Sequence, residues 1–107
     1  MSQTLQSIQR LVEQGQVRIS VHGYDELVAD AILARDAVAG VGDAVEVEEY
    51  PEYSKGPAVL VLQHDTDGQP IHILWGIPKG YDSPAVLVTA YRPDPRRWSS
   101  DFMRRKP

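Results

Sequence analysis

The sequence predicts an α+β fold in which helices come first and an antiparallel sheet follows. Apolar residues recur at helical spacing through residues 1–42, whereas from residue 43 onward they alternate with polar residues or run in valine-rich stretches. Asp67 and Gly68 stand between two of these stretches, as in a tight hairpin turn. Helices and strands that separate along a chain are typical of α+β domains, with the helices on one face of the sheet. We therefore expect N-terminal helices packed on a four-stranded antiparallel sheet.

Three helices are expected in the first 42 residues. Leu5, Ile8 and Leu11 mark the first, which follows Ser2 or Thr4 as a cap and ends near Gly15. Residues 17–20 form a short extended piece, and Ser20 then caps a second helix whose stripe contains Tyr24, Leu27, Val28 and Ala31. A shorter third helix covers residues 33–40.

Four strands are expected in the second half, over residues 44–50, on either side of Asp67–Gly68, and from residue 85 to the prolines near 93. A two-residue turn at Asp67–Gly68 would place Gln63 opposite His72. In that register Leu60, Leu62, Ile71, Ile73 and Trp75 share one face, while Gln63 and His72 satisfy each other's hydrogen bonds on the other.

Length and composition indicate one globular domain. The chain has 107 residues, of which 42% are apolar and 24% charged, and it has no cysteine, which excludes disulfides and thiol nucleophiles. We divide it into a helical part (1–42), a sheet (43–93) and a basic tail (94–107). Because residues 1–10 show no apolar signal core and no long apolar run follows, we expect a cytoplasmic protein that does not enter membranes.

Charge is uneven along the chain. Residues 1–91 hold five basic and thirteen acidic side chains, a net of −8, whereas the last sixteen residues have a net of +4. Such a tail suits an anionic partner, either RNA or the acidic surface of a protein, and the alternative is a solvated C-terminus. The acidic body argues against tight nonspecific binding of nucleic acid.

Three histidines are candidates for acid–base chemistry. His22 begins the second helix and could act as an acid or base, or could simply cap the helix. His72 lies in mid-strand, and His64 is expected to be an exposed residue at a strand end. No HxxxH or HExxH spacing is present, so we expect neither a metal site nor a cofactor.

The closing segment, residues 90–98, combines groups suited to RNA. Tyr91 can hydrogen-bond a reacting hydroxyl, Trp98 can stack on a base, and Arg92, Arg96 and Arg97 can hold phosphate. Lys79, like Tyr50, Tyr53 and Lys55, lies in a loop where it could contact phosphate or remain solvated. The alternative for the closing segment is structural: Arg92 pairs with Asp94 across a proline turn, and Trp98 covers one end of the core.

Residues 19–94 resemble a bacterial family known as domain of unknown function 4258. The resemblance rests on His22 after a short extended segment, the EVEEYP run at 46–51, the IHIL run with His72, and the VTAYRPD run at 88–94. Many members have an HAxxR pattern, where this chain has HGYDEL at 22–27. That family is similar to toxins of the RelE and MqsR type, small α+β ribonucleases that an antitoxin neutralises.

The resemblance implies metal-independent cleavage of RNA by the toxin of a toxin–antitoxin pair. His22 and His72 would be the acid and base, Tyr91 a hydrogen-bond donor, and Arg92 with Arg96 a phosphate clamp. RNA, an antitoxin-like protein and a second copy of the chain are the expected partners. The alternative is a non-catalytic domain with a degenerate site that binds a protein or associates with itself.

Overall fold

The computed structural model describes residues 2–107. The helices are α1 (Gln3–Glu13), α2 (Val21–Ala29) and α3 (Ala34–Ala39), and a 3-10 turn, Gly40–Asp43, follows α3. The strands are β1 (Val17–Ile19), β2 (Val45–Tyr50), β3 (Ala58–His64), β4 (Pro70–Gly76) and β5 (Ala85–Tyr91). Within residues 2–107, no helix has the length and apolar character needed to cross a bilayer.

The two longer helices begin where the sequence predicts them, because serine side chains satisfy their first free amides. The Ser2 hydroxyl accepts a hydrogen bond from the Leu5 amide at 3.0 Å, and the Ser20 hydroxyl accepts one from the Gly23 amide at 2.9 Å. Gly15 lies just after the C-terminus of α1 and has a positive φ of 76°, as expected for a glycine that ends a helix.

The sheet has five strands in the order β1-β5-β4-β3-β2, and it is mixed rather than antiparallel. The prediction of four antiparallel strands is therefore wrong in one respect: β1 pairs in parallel with β5, with Val17 opposite Ala85. A three-residue strand is too short to show a clear alternating pattern. Its partner lies near the other end of the chain, so no local signal reveals the pairing.

The β3–β4 hairpin is where the sequence predicts it, but its register differs by one residue. The Gly68 amide donates to the Asp65 carbonyl at 3.0 Å, the Asp65 amide donates to the Gln69 carbonyl at 3.0 Å, and Gly68 has a φ of 79°. This is a turn followed by a left-handed glycine bulge rather than a two-residue turn. Leu62, and not Gln63, therefore lies opposite His72.

The shifted register decides which side chains meet the helices. Gln63 joins the helix-facing core, where its amide donates to the Ala37 carbonyl at 2.8 Å and its oxygen accepts from the Trp75 indole at 2.9 Å. The predicted Gln63–His72 pair is thus wrong. The core on this face is formed by buried residues of all three helices and of the central strands: Leu5, Ile8, Leu27, Ala37, Val59, Val61, Ile71, Ile73, Trp75 and Leu87.

Candidate functional site

The sheet face that points away from the helices has two clefts, which we call the open cleft and the tyrosine cleft, and one end that is covered. The open cleft lies beside β1 and the start of α2, and the tyrosine cleft lies next to it over β3, β4 and β5. The closed end surrounds His72 and lies beneath the C-terminal segment, residues 97–106. The three regions differ in which side chains remain available to a ligand.

The open cleft combines an imidazole with two cations. It has a volume of about 440 Å³, and its polar and charged lining includes Arg18, Ser20, His22, Tyr53 and Lys55. Arg18 and Lys55 are two of the five basic side chains in residues 1–91, and no carboxylate belongs to the described residues that line the cleft. Against an acidic body, this local arrangement suits an anion.

His22 is held at the rim of this cleft by the start of α2. The Ser20 hydroxyl that caps the helix also donates to the Val88 carbonyl of β5 at 3.0 Å, which fastens the helix start to the sheet. Gly23 allows the close approach, since a Cβ there would lie 2.7 Å from the Leu87 carbonyl oxygen. The His22 side chain remains 67% exposed, with Glu26 Oε1 3.6 Å from its Nε2. It is therefore free to contact a ligand.

Lys55 is positioned by two loops that are joined through their backbones. The Lys79 amide donates to the Lys55 carbonyl at 2.9 Å, and the Ile77 amide donates to the Pro57 carbonyl at 3.1 Å. Gly56 between them has a φ of 122°, and a Cβ there would lie 2.0 Å from the Ile77 carbonyl oxygen. Only glycine fits this contact without a shift of the backbone, so the cleft wall depends on Gly56.

The tyrosine cleft is smaller and mostly apolar. It has a volume of about 210 Å³ and is lined by three tyrosines, two leucines, a threonine and an arginine: Tyr50, Tyr53, Tyr91, Leu60, Leu74, Thr89 and Arg105. Tyr53 lines both clefts, so the two hollows adjoin.

His72 is fully buried at the closed end, with both ring nitrogens engaged. Nε2 lies 2.8 Å from the Phe102 carbonyl oxygen and Nδ1 lies 3.1 Å from the Tyr91 hydroxyl. A carbonyl only accepts, so Nε2 carries the proton and donates it. Nδ1 of the neutral ring is then the acceptor for the Tyr91 hydroxyl. His72 and Tyr91 are therefore in contact, but His72 has no free nitrogen for a substrate.

The C-terminal segment forms the cover over His72. Trp98 pairs with Arg105 as a small antiparallel bridge, and its ring packs edge-on against the His72 ring with 4.4 Å between centroids. Arg105 lies over the Trp98 ring at 4.7 Å and binds both carboxylate oxygens of Glu48 at 2.9 and 3.2 Å. Trp98 is only 4% exposed, so its ring is not available to stack on a base. It serves as a cover within the fold, which was the structural alternative for this residue.

Burial changes the protonation behaviour of the closed end. Loss of solvent lowers the pKa of His72 below its ordinary 6.5, because a buried imidazolium is poorly solvated. The same loss of solvent raises the pKa of Tyr91. The hydrogen bond from Arg105 lowers the pKa of Glu48, with a further contribution from Tyr50. His72 is therefore neutral and Glu48 ionised near neutral pH.

None of the four cations predicted to bind RNA lines the open cleft or the tyrosine cleft. Arg92 forms an ion pair with Asp65 at 2.9 Å, not with Asp94, and its own amide donates to Asp30. Arg96 pairs with Asp94 at 3.0 Å. The Arg97 amide donates to the Asp94 carbonyl at 2.9 Å, and the Arg97 carbonyl accepts from the Lys106 amide at 2.8 Å. Of the four, only Lys79 adjoins the open cleft, through the loop that holds Lys55.

His64, as predicted, is an exposed residue at the end of β3. Among residues 2–107, no three His, Asp or Glu side chains gather in a way that could hold a metal ion.

Arg18 is the residue of the open cleft that sequence reasoning missed. It alternates with Val17 and Ile19 on β1, so that it faces away from the helices. Residues 17–20 are predicted only as a short extended piece, and three strand residues show too little alternation to assign Arg18 a face from the sequence.

A comparison with family models gives one match. The model described as "Domain of unknown function (DUF4258)" matches residues 19–92, more than half of the chain. The matched span contains β2 to β5, α2 and the open-cleft residues His22, Tyr53 and Lys55, while Trp98 and Arg105 lie beyond it. No curated protein and no solved structure matches the chain.

Proposed function

Because this chain belongs to the DUF4258 family, whose description states no activity, we propose its function from the site: a metal-independent endoribonuclease of the RelE and MqsR toxin type. The observation that supports this proposal is the open cleft, where His22, Arg18 and Lys55 line one hollow of about 440 Å³. An accessible imidazole that shares a cleft with two cations is suited to RNA, whose reaction needs a base near a phosphate.

The reaction requires only groups of this cleft and water. His22 takes the proton from a ribose 2′-hydroxyl, whose oxygen attacks the adjacent phosphorus as the bond from phosphorus to the 5′-oxygen breaks. Arg18 and Lys55 stabilise the added negative charge on the phosphoryl oxygens. The leaving 5′-oxygen takes a proton from solvent, which the open cleft admits. The products are a 2′,3′-cyclic phosphate and a free 5′-hydroxyl.

In this proposal the catalytic histidine is His22 alone. Both nitrogens of His72 are occupied by Tyr91 and Phe102, so that His72 and Tyr91 support the fold beneath the C-terminal segment. Arg92 and Arg96 are neutralised by Asp65 and Asp94, so Arg18 and Lys55 replace them as the phosphate-binding cations.

The proposal is tested by incubating the purified chain with a mixed-sequence RNA pool in excess EDTA and reading the new ends. We expect 2′,3′-cyclic phosphate ends and no cut in the corresponding DNA, which lacks the nucleophile. His22→Gln should lower the rate by about 100-fold or more, the usual contribution of a general base. The matched change His64→Gln, at an exposed histidine outside both clefts, should leave the rate unchanged. Full activity in His22→Gln, or no cleavage above buffer by the unaltered chain, would overturn the proposal.

A second candidate function, protein docking, is favoured by the outer face of α2. Val21, Tyr24 and Val28 are exposed large side chains at positions i, i+3 and i+7, which places them in one stripe. Such a stripe could bind an antitoxin-like protein or the same stripe of a second copy. Sedimentation over a wide concentration range tests the second copy: a dimer that Val28→Lys disrupts would support it, and a monomer throughout would remove it.

A further inference from the structure

We infer that the tyrosine cleft is a slot for one unpaired base of the RNA whose phosphate lies in the open cleft, so that the substrate is single-stranded RNA. This inference rests on the proposed function. It begins from Tyr53, which lines both clefts and therefore stands between the cationic hollow and the apolar one. A nucleotide presents the same pairing of groups, a phosphate beside a flat aromatic ring.

The walls of the slot are held in place before any ligand arrives. The Tyr50 hydroxyl donates to Glu48 at 2.5 Å, and the Tyr91 hydroxyl donates to His72 Nδ1 at 3.1 Å. Arg105, bound to Glu48, also lines the cleft. Because these side chains are already ordered, a ligand does not have to immobilise them when it binds.

The chemistry of the lining favours the face of a base over its edge. Tyr50 and Tyr91 have already used their hydroxyl donors, and Leu60 and Leu74 offer only apolar surface. The remaining polar groups are Thr89, the Tyr53 hydroxyl and the Arg105 guanidinium, which is bound to Glu48. Stacking on aromatic rings tolerates every base, since each base has a π-face. The slot should therefore accept all four bases with modest preference.

A paired base cannot enter this slot. In a duplex the faces of each base are covered by its neighbours in the stack, and the narrow major groove of A-form RNA keeps side chains away from base edges. The tyrosine cleft thus selects unpaired nucleotides, while the cations of the open cleft can bind the phosphate of any nucleotide, paired or unpaired.

The test is equilibrium binding, measured by fluorescence anisotropy with a labelled 2′-O-methyl RNA oligomer that cannot be cleaved. Tyr53→Ala should weaken binding by about 5- to 150-fold, the range given by loss of one base–aromatic stack. Tyr53→Phe, which keeps the ring, should bind like the unaltered chain. Tyr81→Ala is the matched control, because Tyr81 is an exposed loop tyrosine that lines neither cleft.

Two further binding measurements distinguish insertion of a base into the slot from electrostatic attraction alone. Annealing the oligomer to its complement should weaken binding to the level of Tyr53→Ala, and Leu74→Trp, which fills the slot, should do the same. Unaltered binding in Tyr53→Ala and Leu74→Trp would overturn the slot even if RNA were still cleaved. Slot-dependent binding without cleavage would instead uphold the slot and overturn the proposed reaction.

Discussion

Two histidines occupy opposite situations on the same face of the sheet. His72 is fully buried, and both of its nitrogens have partners in the fold. His22 is largely exposed at the rim of a hollow lined by two cations. The residue type is the same, and the surroundings decide the role: Phe102 of the C-terminal segment and Tyr91 of β5 occupy both ring nitrogens of His72, while nothing among the described residues covers His22 in this way. We therefore assign stability to the closed end and binding to the open cleft.

The largest expected effect on stability is at the closed end. Trp98→Ala should lower the free energy of unfolding by about 3 kcal/mol, because it removes a nearly buried indole and exposes the His72 ring. His22→Ala should change it by less than about 0.5 kcal/mol, as expected at an exposed site. Urea denaturation measures both. Equal stability losses in the two variants would break the distinction between the two ends.

The wall of the open cleft gives an effect of similar size. Gly56→Ala should destabilise the fold by about 3 kcal/mol, because the new Cβ would overlap the Ile77 carbonyl in addition to straining the backbone. Gly80→Ala is the matched control: Gly80 also has a positive φ but has open space around it, so we expect only about 1 kcal/mol of strain. Thermal or urea unfolding of the two variants is compared, and the difference in their stability losses gives the cost of the overlap between the new Cβ and the Ile77 carbonyl. A smaller loss in Gly56→Ala than in Gly80→Ala would contradict this account of the loops.

The dependence of stability on pH should come from His72. Its pKa is lowered in the folded chain, so below about pH 6.5 the unfolded chain binds a proton that the folded chain does not. Stability should therefore be full above that pH and decrease on acidification, with a slope of at most about 1.4 kcal/mol per pH unit. Unfolding measured between pH 7.5 and 5 should show this slope in His22→Gln and lose it in His72→Gln. A slope that persists in His72→Gln and disappears in His22→Gln would contradict the assignment of this pH dependence to His72.

The ion pair that fastens the C-terminal segment should contribute least. Arg105 and Glu48 are both partly exposed, so Arg105→Gln should lower stability by about 0.2–1 kcal/mol. The loss should shrink in high salt, which screens exposed charges. A double-mutant cycle with Glu48→Gln measures the coupling. A coupling well above this range would mean that the charge pair, rather than the packing of Trp98, closes this end.

Local signals in the sequence were sufficient for most of the elements. Ser2 and Ser20 begin their helices because a hydroxyl next to an amphipathic stripe satisfies free amides, which is a property of a few adjacent residues. The hairpin register was not predictable in the same way. Asp67–Gly68 is compatible with two loop lengths, and the longer one places Gln63 and His72 on opposite faces of the sheet instead of the same face.

The site was harder to predict than the fold because its residues meet only in three dimensions. His22, Lys55 and Arg18 come from a helix start, a loop and the edge strand β1, and the parallel pairing of β1 with β5 leaves no local trace. The C-terminal arginines illustrate the opposite error. Arg92, Arg96 and Arg97 were predicted to hold phosphate, yet Arg92 pairs with Asp65 and Arg96 pairs with Asp94.

The most direct test of the assignment is an NMR titration of the three histidine ring protons with the non-cleavable RNA oligomer. The account predicts that the His22 resonance shifts and saturates as RNA is added, that His72 shifts less because its partner Tyr91 lines the tyrosine cleft, and that His64, outside both clefts, stays in place. A shift of the His72 resonance with His22 unchanged would contradict it, and would mean that RNA displaces the C-terminal segment and binds at the closed end.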